Sequence, residues 1–176
     1  MEIAIKKIAF EYLLTQMLKW GKDITPQVST STFTRLKALK LLFFVSAVKN
    51  EEGRDLLDVF NNYYALPNGP VESDIYNSIT SDDLSFYSFK DFSFALKAPY
   101  KEDGLDENLK RRIDAAIMAL RSRNDDIVSY SAEQLVRLSH FWMAWQNSIQ
   151  IANALGKGSY RMDVEQIRNN TQFFAL

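Results

Sequence analysis

The sequence contains no cysteine and only one histidine, His140. Without cysteine, neither a disulfide framework nor a thiolate metal site can form, and one histidine cannot supply a cluster of histidine ligands. A Ser-His-Asp triad would need His140, but this residue lies in RLSHFWMAW, within a predicted buried helix, where packing explains it better. Glycine-rich phosphate-binding motifs are also missing. The sequence therefore predicts no catalytic residue, no metal site and no cofactor, and a protein that is not an enzyme.

Long apolar runs are missing as well. The longest apolar block, residues 41–48, is interrupted by Ser46 and is far shorter than the ~18 residues that a membrane-spanning helix needs. The first twenty residues alternate charged and apolar side chains, which is untypical of a signal peptide. We therefore expect a cytoplasmic protein without a membrane partner, which forms one domain over residues 1–176.

Acidic and basic side chains are unevenly distributed, although the formal net charge is −1. Residues 51–107, the acidic middle, hold thirteen acidic and four basic side chains, whereas the segments on either side carry an excess of basic ones. The basic character that is typical of a nucleic-acid-binding domain is absent, so a nucleic-acid partner is not expected. The acidic middle has two interpretations: a face for a basic partner protein, or a solvated face whose charges balance those of neighbouring helices.

Apolar residues recur at helical spacing along most of the chain, which predicts a mainly α, single compact helical domain. The stretch LLFFVSAV is apolar nearly all round and predicts a buried central helix. The first half of this helix is predicted to be amphipathic, with Arg35, Lys37 and Lys40 on its polar side. Residues 84–97 are rich in aromatics and are predicted to form one or two short strands or irregular aromatic packing. The predicted helices cover about residues 3–20, 34–49, 53–62, 70–79, 107–121, 131–155 and 163–173.

The stretch ALPNGPVESDIYNSI, residues 65–79, concentrates proline and glycine in a chain that has only four prolines and six glycines. Gly69 can adopt backbone conformations that other residues avoid, or can let another segment approach closely. Pro67 and Pro70 restrict φ on either side of it. With Gly69 at the cap and Pro70 at the first helical position, we expect a rigid bend that begins a helix at Pro70.

Three segments resemble the Panacea antitoxin domain, which is also called the SocA-like domain. The stretch LKALKLLFFVSAV contains KLLFF, residues 40–44, where the family typically shows a KLLYF-type helix. The stretch GPVESDIY, residues 69–76, is similar to the GPV element of the phage-associated branch of the family. The stretch LSHFWMAW, residues 138–145, resembles a late segment in which a Leu-Ser/Thr-His run leads into a Trp-containing helix. The resemblance covers roughly residues 36–149.

The resemblance implies a mainly helical antitoxin that neutralises a small cognate toxin by direct protein contact. One type of member is similar to a proteolytic adaptor that delivers its toxin to a cellular protease. A basic toxin would agree with the acidic middle. Many members carry an additional DNA-binding or other domain, for which this chain has no room, so autoregulation by DNA binding is not expected. The alternative is a phage or mobile-element interaction module that binds a host protein.

The candidate partner-binding residues are those of the GPV element and of the helix predicted after it. Whether the element contacts a partner or only stabilises the fold remains open at this point. The residues in question are Gly69, Pro70, Val71, Ser73, Asp74 and Tyr76.

Overall fold

A computed structural model describes residues 2–26, 33–90 and 94–176. These residues form seven α-helices, one 3₁₀ helix and five short strands, so the prediction of a mainly α fold with a small β component is confirmed. In chain order the elements are α1 (Ile3–Ile24), α2 (Arg35–Ala47), β1 (Tyr63–Leu66), β2 (Gly69–Glu72), α3 (Ser73–Thr80), β3 (Tyr87–Ser88), β4 (Ala95–Leu96), α4 (Glu107–Arg123), the 3₁₀ helix (Asp125–Ser129), α5 (Ala132–Ser139), α6 (Met143–Ala154), β5 (Tyr160–Arg161) and α7 (Val164–Asn169).

Helix α2 is the central helix, as predicted. Its first turn is capped by the Thr34 side chain, which accepts a hydrogen bond from the Lys37 backbone amide. Every residue from 37 to 47 is buried, and α2 contacts α4, α5 and β2. The predicted polar side of this helix is wrong at Lys37 and Lys40, which are buried together with the apolar residues, whereas Arg35 is exposed as predicted.

Two small antiparallel sheets accompany the helices. Strand β1 pairs with β2 on one side and with β5 on the other. In the β1–β2 pair, Leu66 lies opposite Gly69 and Tyr63 lies opposite Glu72. Strands β3 and β4 pair with each other, which confirms the strand interpretation within 84–97; residues 91–93 of that segment lie outside the described residues.

The helix predicted over residues 53–62 is wrong, since that segment forms turns. Side-chain oxygens there satisfy the backbone donors that a helix would use. The Asn50 Oδ1 atom accepts from the backbone amides of Glu52 and Arg54, and Asp55 Oδ1 accepts from that of Leu57. Such local hydrogen bonds from Asn and Asp compete with helix formation.

The single helix predicted over residues 131–155 is also wrong, because it is divided into α5 and α6. The predicted capping box of Ser131 and Gln134 opens α5. The interruption lets the fully buried Trp142 reach an aromatic cluster, in which its ring lies 5.2 Å from Phe43 and 5.5 Å from Phe174. The backbone amides of Phe141 and Trp142 at the break still donate hydrogen bonds, to the oxygens of Leu138 and Ser139, and burial of the large indole adds apolar contact.

Helices α1 and α7 have the predicted positions but different lengths. Helix α1 continues through the predicted stop at Gly21, and Trp20 in its last turns donates a hydrogen bond to the backbone oxygen of Asp125. Helix α7 ends early at Asn169. Asn170 then accepts a hydrogen bond from the Ala144 backbone amide, which draws the chain towards α6.

Candidate functional site at the hairpin of β1 and β2

The segment predicted as a bend followed directly by a helix is a β-hairpin followed by a helix. Pro67 and Asn68 form the exposed two-residue turn between β1 and β2. The helix predicted to begin at Pro70 begins at Ser73, and Glu72 is its N-cap residue. Pro70 instead lies in β2, at the edge of the three-stranded sheet, where a residue without a backbone N–H is tolerated.

Gly69 follows the turn with a φ of +92°, a conformation that residues with a side chain rarely adopt. The space around it is also closed. A Cβ atom at this position would lie 2.3 Å from Ser139 Oγ and 2.9 Å from Lys40 Nζ. Both the backbone conformation and the close approach of α2 and α5 therefore require glycine here.

Lys40 reaches the same place from the central helix. Its side chain is fully buried, and its Nζ atom donates a hydrogen bond of 2.7 Å to the backbone oxygen of Pro70. Burial away from any carboxylate lowers the pKa of Lys40 to about 7. The Lys40 side chain, which comes from a largely apolar helix, thus links α2 to β2 by a hydrogen bond.

His140 and Trp145 fasten the turn from the other side. Their rings stack with centroids 3.8 Å apart, and Trp145 Nε1 donates a 2.9 Å hydrogen bond to the backbone oxygen of Leu66. Burial, and then the nearby charge of Lys40, lower the pKa of His140. We refer to the turn, residues 66–69, as the hairpin tip.

The opposite end of the hairpin holds an ionic cluster, which we call the hairpin base. Lys6 Nζ lies 2.8 Å from Glu72 Oε1, 2.5 Å from Asp74 Oδ2 and 2.9 Å from Asn61 Oδ1. Glu72 also accepts hydrogen bonds from the backbone amides of Asn62 and Ile75. It is therefore both the cap of α3 and the partner of a buried cation.

The charges of the hairpin base shift each other's protonation. Burial lowers the pKa of Lys6, but hydrogen bonds and charge attraction from Asp74 and Glu72 outweigh it, so the pKa is raised overall. Burial likewise opposes ionisation of Asp74, yet its hydrogen bonds with Lys6 and Asn62 leave its pKa lowered. Both groups are held in their charged forms.

The six candidate partner-binding residues lie together along β2 and the start of α3, but they differ in exposure. Gly69, Pro70 and Val71 are buried, so their side chains and backbone face the rest of the fold. The other three, namely Ser73, Asp74 and Tyr76, are half-buried.

Sequence reasoning did not assign Lys6, Lys40 and Ser139 to this site. A lysine within an almost wholly apolar helix was the available signal for Lys40. Lys6 and Ser139 carried no such signal, because their partners at this site lie more than fifty residues away along the chain.

The acidic middle is largely neutralised within the fold. Nine of its thirteen carboxylates form ion pairs among the described residues, with cations such as Lys6, Lys97 and Arg168. This arrangement favours the second interpretation of these charges, in which they balance those of neighbouring elements.

Comparisons of the chain with protein families, with curated proteins and with solved structures find no match. None of the helices in residues 2–26, 33–90 and 94–176 has the length and apolar character needed to cross a bilayer. Over the same part of the chain, no group of three or more His, Asp or Glu side chains is placed to hold a metal ion. Function is therefore inferred from the chain's own residues and their arrangement.

Proposed function

We propose that this chain is a protein-binding antitoxin of the Panacea (SocA-like) type, which neutralises a small cognate toxin by direct contact. The carrying observation is that the three segments of the resemblance meet at the hairpin tip. Lys40 of KLLFF bonds to Pro70 of GPV, and Ser139 of LSHFWMAW abuts Gly69. The three segments are far apart in sequence and contact one another in the fold, which supports treating them as one unit.

The tip has the properties of a pre-organised contact. Trp145 donates a hydrogen bond to the backbone oxygen of Leu66, Lys40 donates one to that of Pro70 next to the tip, and Ser139 lies against Gly69. The turn residues Pro67 and Asn68 are exposed. A turn that is already ordered loses little conformational freedom on binding. We therefore assign the toxin contact to Pro67 and Asn68, with Gly69, Pro70 and Val71 positioning them.

The half-buried residues Ser73, Asp74 and Tyr76 are proposed as secondary contacts. The Arg35 guanidinium lies 5.6 Å from the centre of the Tyr76 ring, so this ring is partly covered from one side. Because the acidic middle is mostly paired internally, the proposal relies on the shape of the tip and not on attraction of a basic toxin.

Co-expression tests the proposal directly. A small reading frame adjacent to this one is induced with and without the chain, growth is followed, and the chain is captured from the same cells. We expect growth to be restored and the small protein to co-purify. Toxicity that the chain does not relieve, or relief without a co-purifying protein, would contradict neutralisation by contact.

Two matched variants locate the contact. Asn68→Arg changes the exposed turn, whereas Asn77→Arg makes the same change at an exposed position of α3. We expect Asn68→Arg to abolish rescue and Asn77→Arg to retain it, with equal melting temperatures. Loss of rescue in both variants, or in neither, would place the contact elsewhere.

Whether the chain acts as a proteolytic adaptor is tested by measuring the half-life of the toxin. If the chain delivers its toxin to a cellular protease, the half-life of the toxin shortens when the chain is present and recovers when the protease is depleted. A toxin that is neutralised at an unchanged half-life would indicate sequestration.

A further inference from the structure

A second surface lies away from the hairpin residues, along α4. A groove of about 620 Å³ runs between this helix and the turn at residues 49–54. One face of α4, from Asn108 to Arg123, forms its wall. At 1.5 Å per residue this face is ~22 Å long, enough for three to four turns of a partner helix.

The groove is basic, and part of its charge has no internal partner. Its lining contains five cationic and two anionic side chains. Arg112 is paired with Asp58, and Arg54 with Glu52. Among the described residues, Lys49, Arg111 and Arg123 form no ion pair with a carboxylate, whereas most carboxylates of the acidic middle do.

Arg123 is held in position rather than loosely solvated. Its guanidinium donates hydrogen bonds to the Lys49 backbone oxygen at 2.9 Å and to Gln172 at 3.3 Å, and it lies over the Phe174 ring. None of these partners neutralises its charge. The groove therefore presents fixed positive charge, for which a partner carboxylate is the missing complement.

Apolar side chains lie between the cations. Met118 is 70% exposed, which is the largest exposed fraction among the large hydrophobic residues of the described chain. Ala115 and Ala119 flank it on the same face of α4. The flexible Met118 side chain beside two alanines can pack against apolar partner side chains of different shapes.

We propose that this groove binds an acidic, amphipathic segment of a partner protein. Its carboxylates would pair with Lys49, Arg111 and Arg123, and its apolar side chains would cover Met118. A nucleic acid fits less well, because Glu51 and Glu52 also line the groove and no aromatic ring does so for base stacking. This surface is distinct from the hairpin tip, and the inference does not depend on the antitoxin proposal.

The test uses the full chain and labelled synthetic probes in fluorescence anisotropy. One probe is a helical peptide of ~16 residues that contains Glu and Leu. Leu recurs at positions i and i+4, so that the Leu side chains share one face of the helix. The second replaces each Leu by Ser, the third replaces each Glu by Lys, and the fourth is a single-stranded RNA of the same length. We expect the first peptide to bind tightest, the second more weakly and the third not at all.

Variants of the chain connect binding to the groove. The double change Arg111→Glu with Lys49→Glu should weaken the first peptide at least ~10-fold, and Met118→Ser should weaken it by a smaller factor. Lys157→Glu, an exposed charge change outside the groove, should leave its affinity unaltered. Circular dichroism melting curves verify that the variants remain folded.

The following results would overturn the proposal. If the first peptide binds the charge-reversed chain as tightly as the original chain, its site lies elsewhere. RNA that binds more tightly than the first peptide, and that loses affinity in the double variant, would identify a nucleic-acid surface instead. Equal affinity for the first and third peptides would show that the positive charge of the groove does not discriminate between acidic and basic peptides.

Discussion

A buried lysine from a helix lies against each end of the β1–β2 hairpin, but the two lysines have different hydrogen-bond partners. At the base, Lys6 is surrounded by Glu72, Asp74 and Asn61. At the tip, Lys40 has one neutral acceptor, the backbone oxygen of Pro70. The pKa of Lys6 is raised and that of Lys40 is lowered to about 7. Burial alone therefore does not determine the charge of a lysine; the carboxylates within reach decide it.

This contrast separates the roles of the two ends. The base is an ionic anchor that holds β2, the start of α3 and α1 together, and its cost of burial is offset only while all partners are present. The tip is a close-packed junction that depends on shape, and the pKa of the neighbouring Lys40, about 7, lies close to neutral pH. The free energy of unfolding should therefore fall when a charge is removed at the base. It should also change when a side chain is enlarged at the tip, or when the pH changes the protonation of Lys40.

Removing the carboxylate of the base should have the largest effect. Glu72→Ala leaves Lys6 buried with fewer partners and removes the cap of α3, so we expect a loss of ~3–5 kcal/mol in the free energy of unfolding. Urea denaturation measures it. Asp83→Ala, which breaks the exposed pair with Lys7, is the control and should cost under ~1 kcal/mol. Equal losses in the two variants would disprove the anchor role.

Adding one methyl group at the tip should come next. Gly69→Ala combines a positive φ with a Cβ that would lie 2.3 Å from Ser139 Oγ, and should cost ~3 kcal/mol. Gly53→Ala has a similar φ of +74° but no atom within 4 Å of its Cβ, so it should cost only ~1 kcal/mol. Thermal and urea unfolding of both variants would separate the cost of backbone strain at a positive φ from the cost of the steric clash with Ser139. A Gly69 variant no less stable than the Gly53 variant would rule out the collision.

The tip lysine should make stability depend on pH. Because the folded pKa of Lys40, about 7, is below its unfolded value of 10.5, the folded chain binds fewer protons between these values. The free energy of unfolding should therefore rise with pH above 7, by at most ~1.4 kcal/mol per pH unit. The raised pKa of Lys6 adds no slope there, since its stabilisation is lost only as pH passes the unfolded value of 10.5.

Lys40→Met should remove this slope between pH 7 and 8. Lys37, whose pKa burial lowers to about 8, adds a slope of the same sign at higher pH. Lys37→Met is therefore the matched control, and it should retain the rise that begins at pH 7. Urea titrations at a series of pH values measure both variants. Identical slopes for the original chain and Lys40→Met would mean that Lys40 keeps an ordinary pKa.

The smallest effect should come from the hydrogen bond that closes the tip. Trp145→Phe keeps an aromatic ring against His140 but removes the donor to the Leu66 oxygen, so we expect a loss of ~1 kcal/mol. Hydrogen exchange should also accelerate at the backbone amides of Leu66, Asn68 and Gly69, while amides near the hairpin base stay protected. A global rather than local change in exchange would show that the tip and the base unfold as one unit.

Several elements were predictable because their signals are local. The apolar periodicity of α1, α2 and α4, and the capping boxes and caps before α5 and α7, depend on residues within a few positions of each other. The short strands within 84–97 followed from aromatic alternation. The turns over residues 53–62 and the break before α6 were missed, because Asn50 and Trp142 compete with helix propensity through contacts that periodicity does not register.

At the candidate site the division is similar. Local composition was sufficient to single out the Pro67–Pro70 corner, to identify Gly69 as conformationally special and to predict a helical fold around a buried α2. The tertiary structure alone decided that Pro70 lies in a strand and that Lys40 and Ser139 close around Gly69. It also decided that most carboxylates of the acidic middle form ion pairs, several of them with lysines and arginines distant in sequence. The physical reason is range: φ preferences and periodicity act between neighbours, whereas burial, collision and ion pairing depend on residues that only folding brings together.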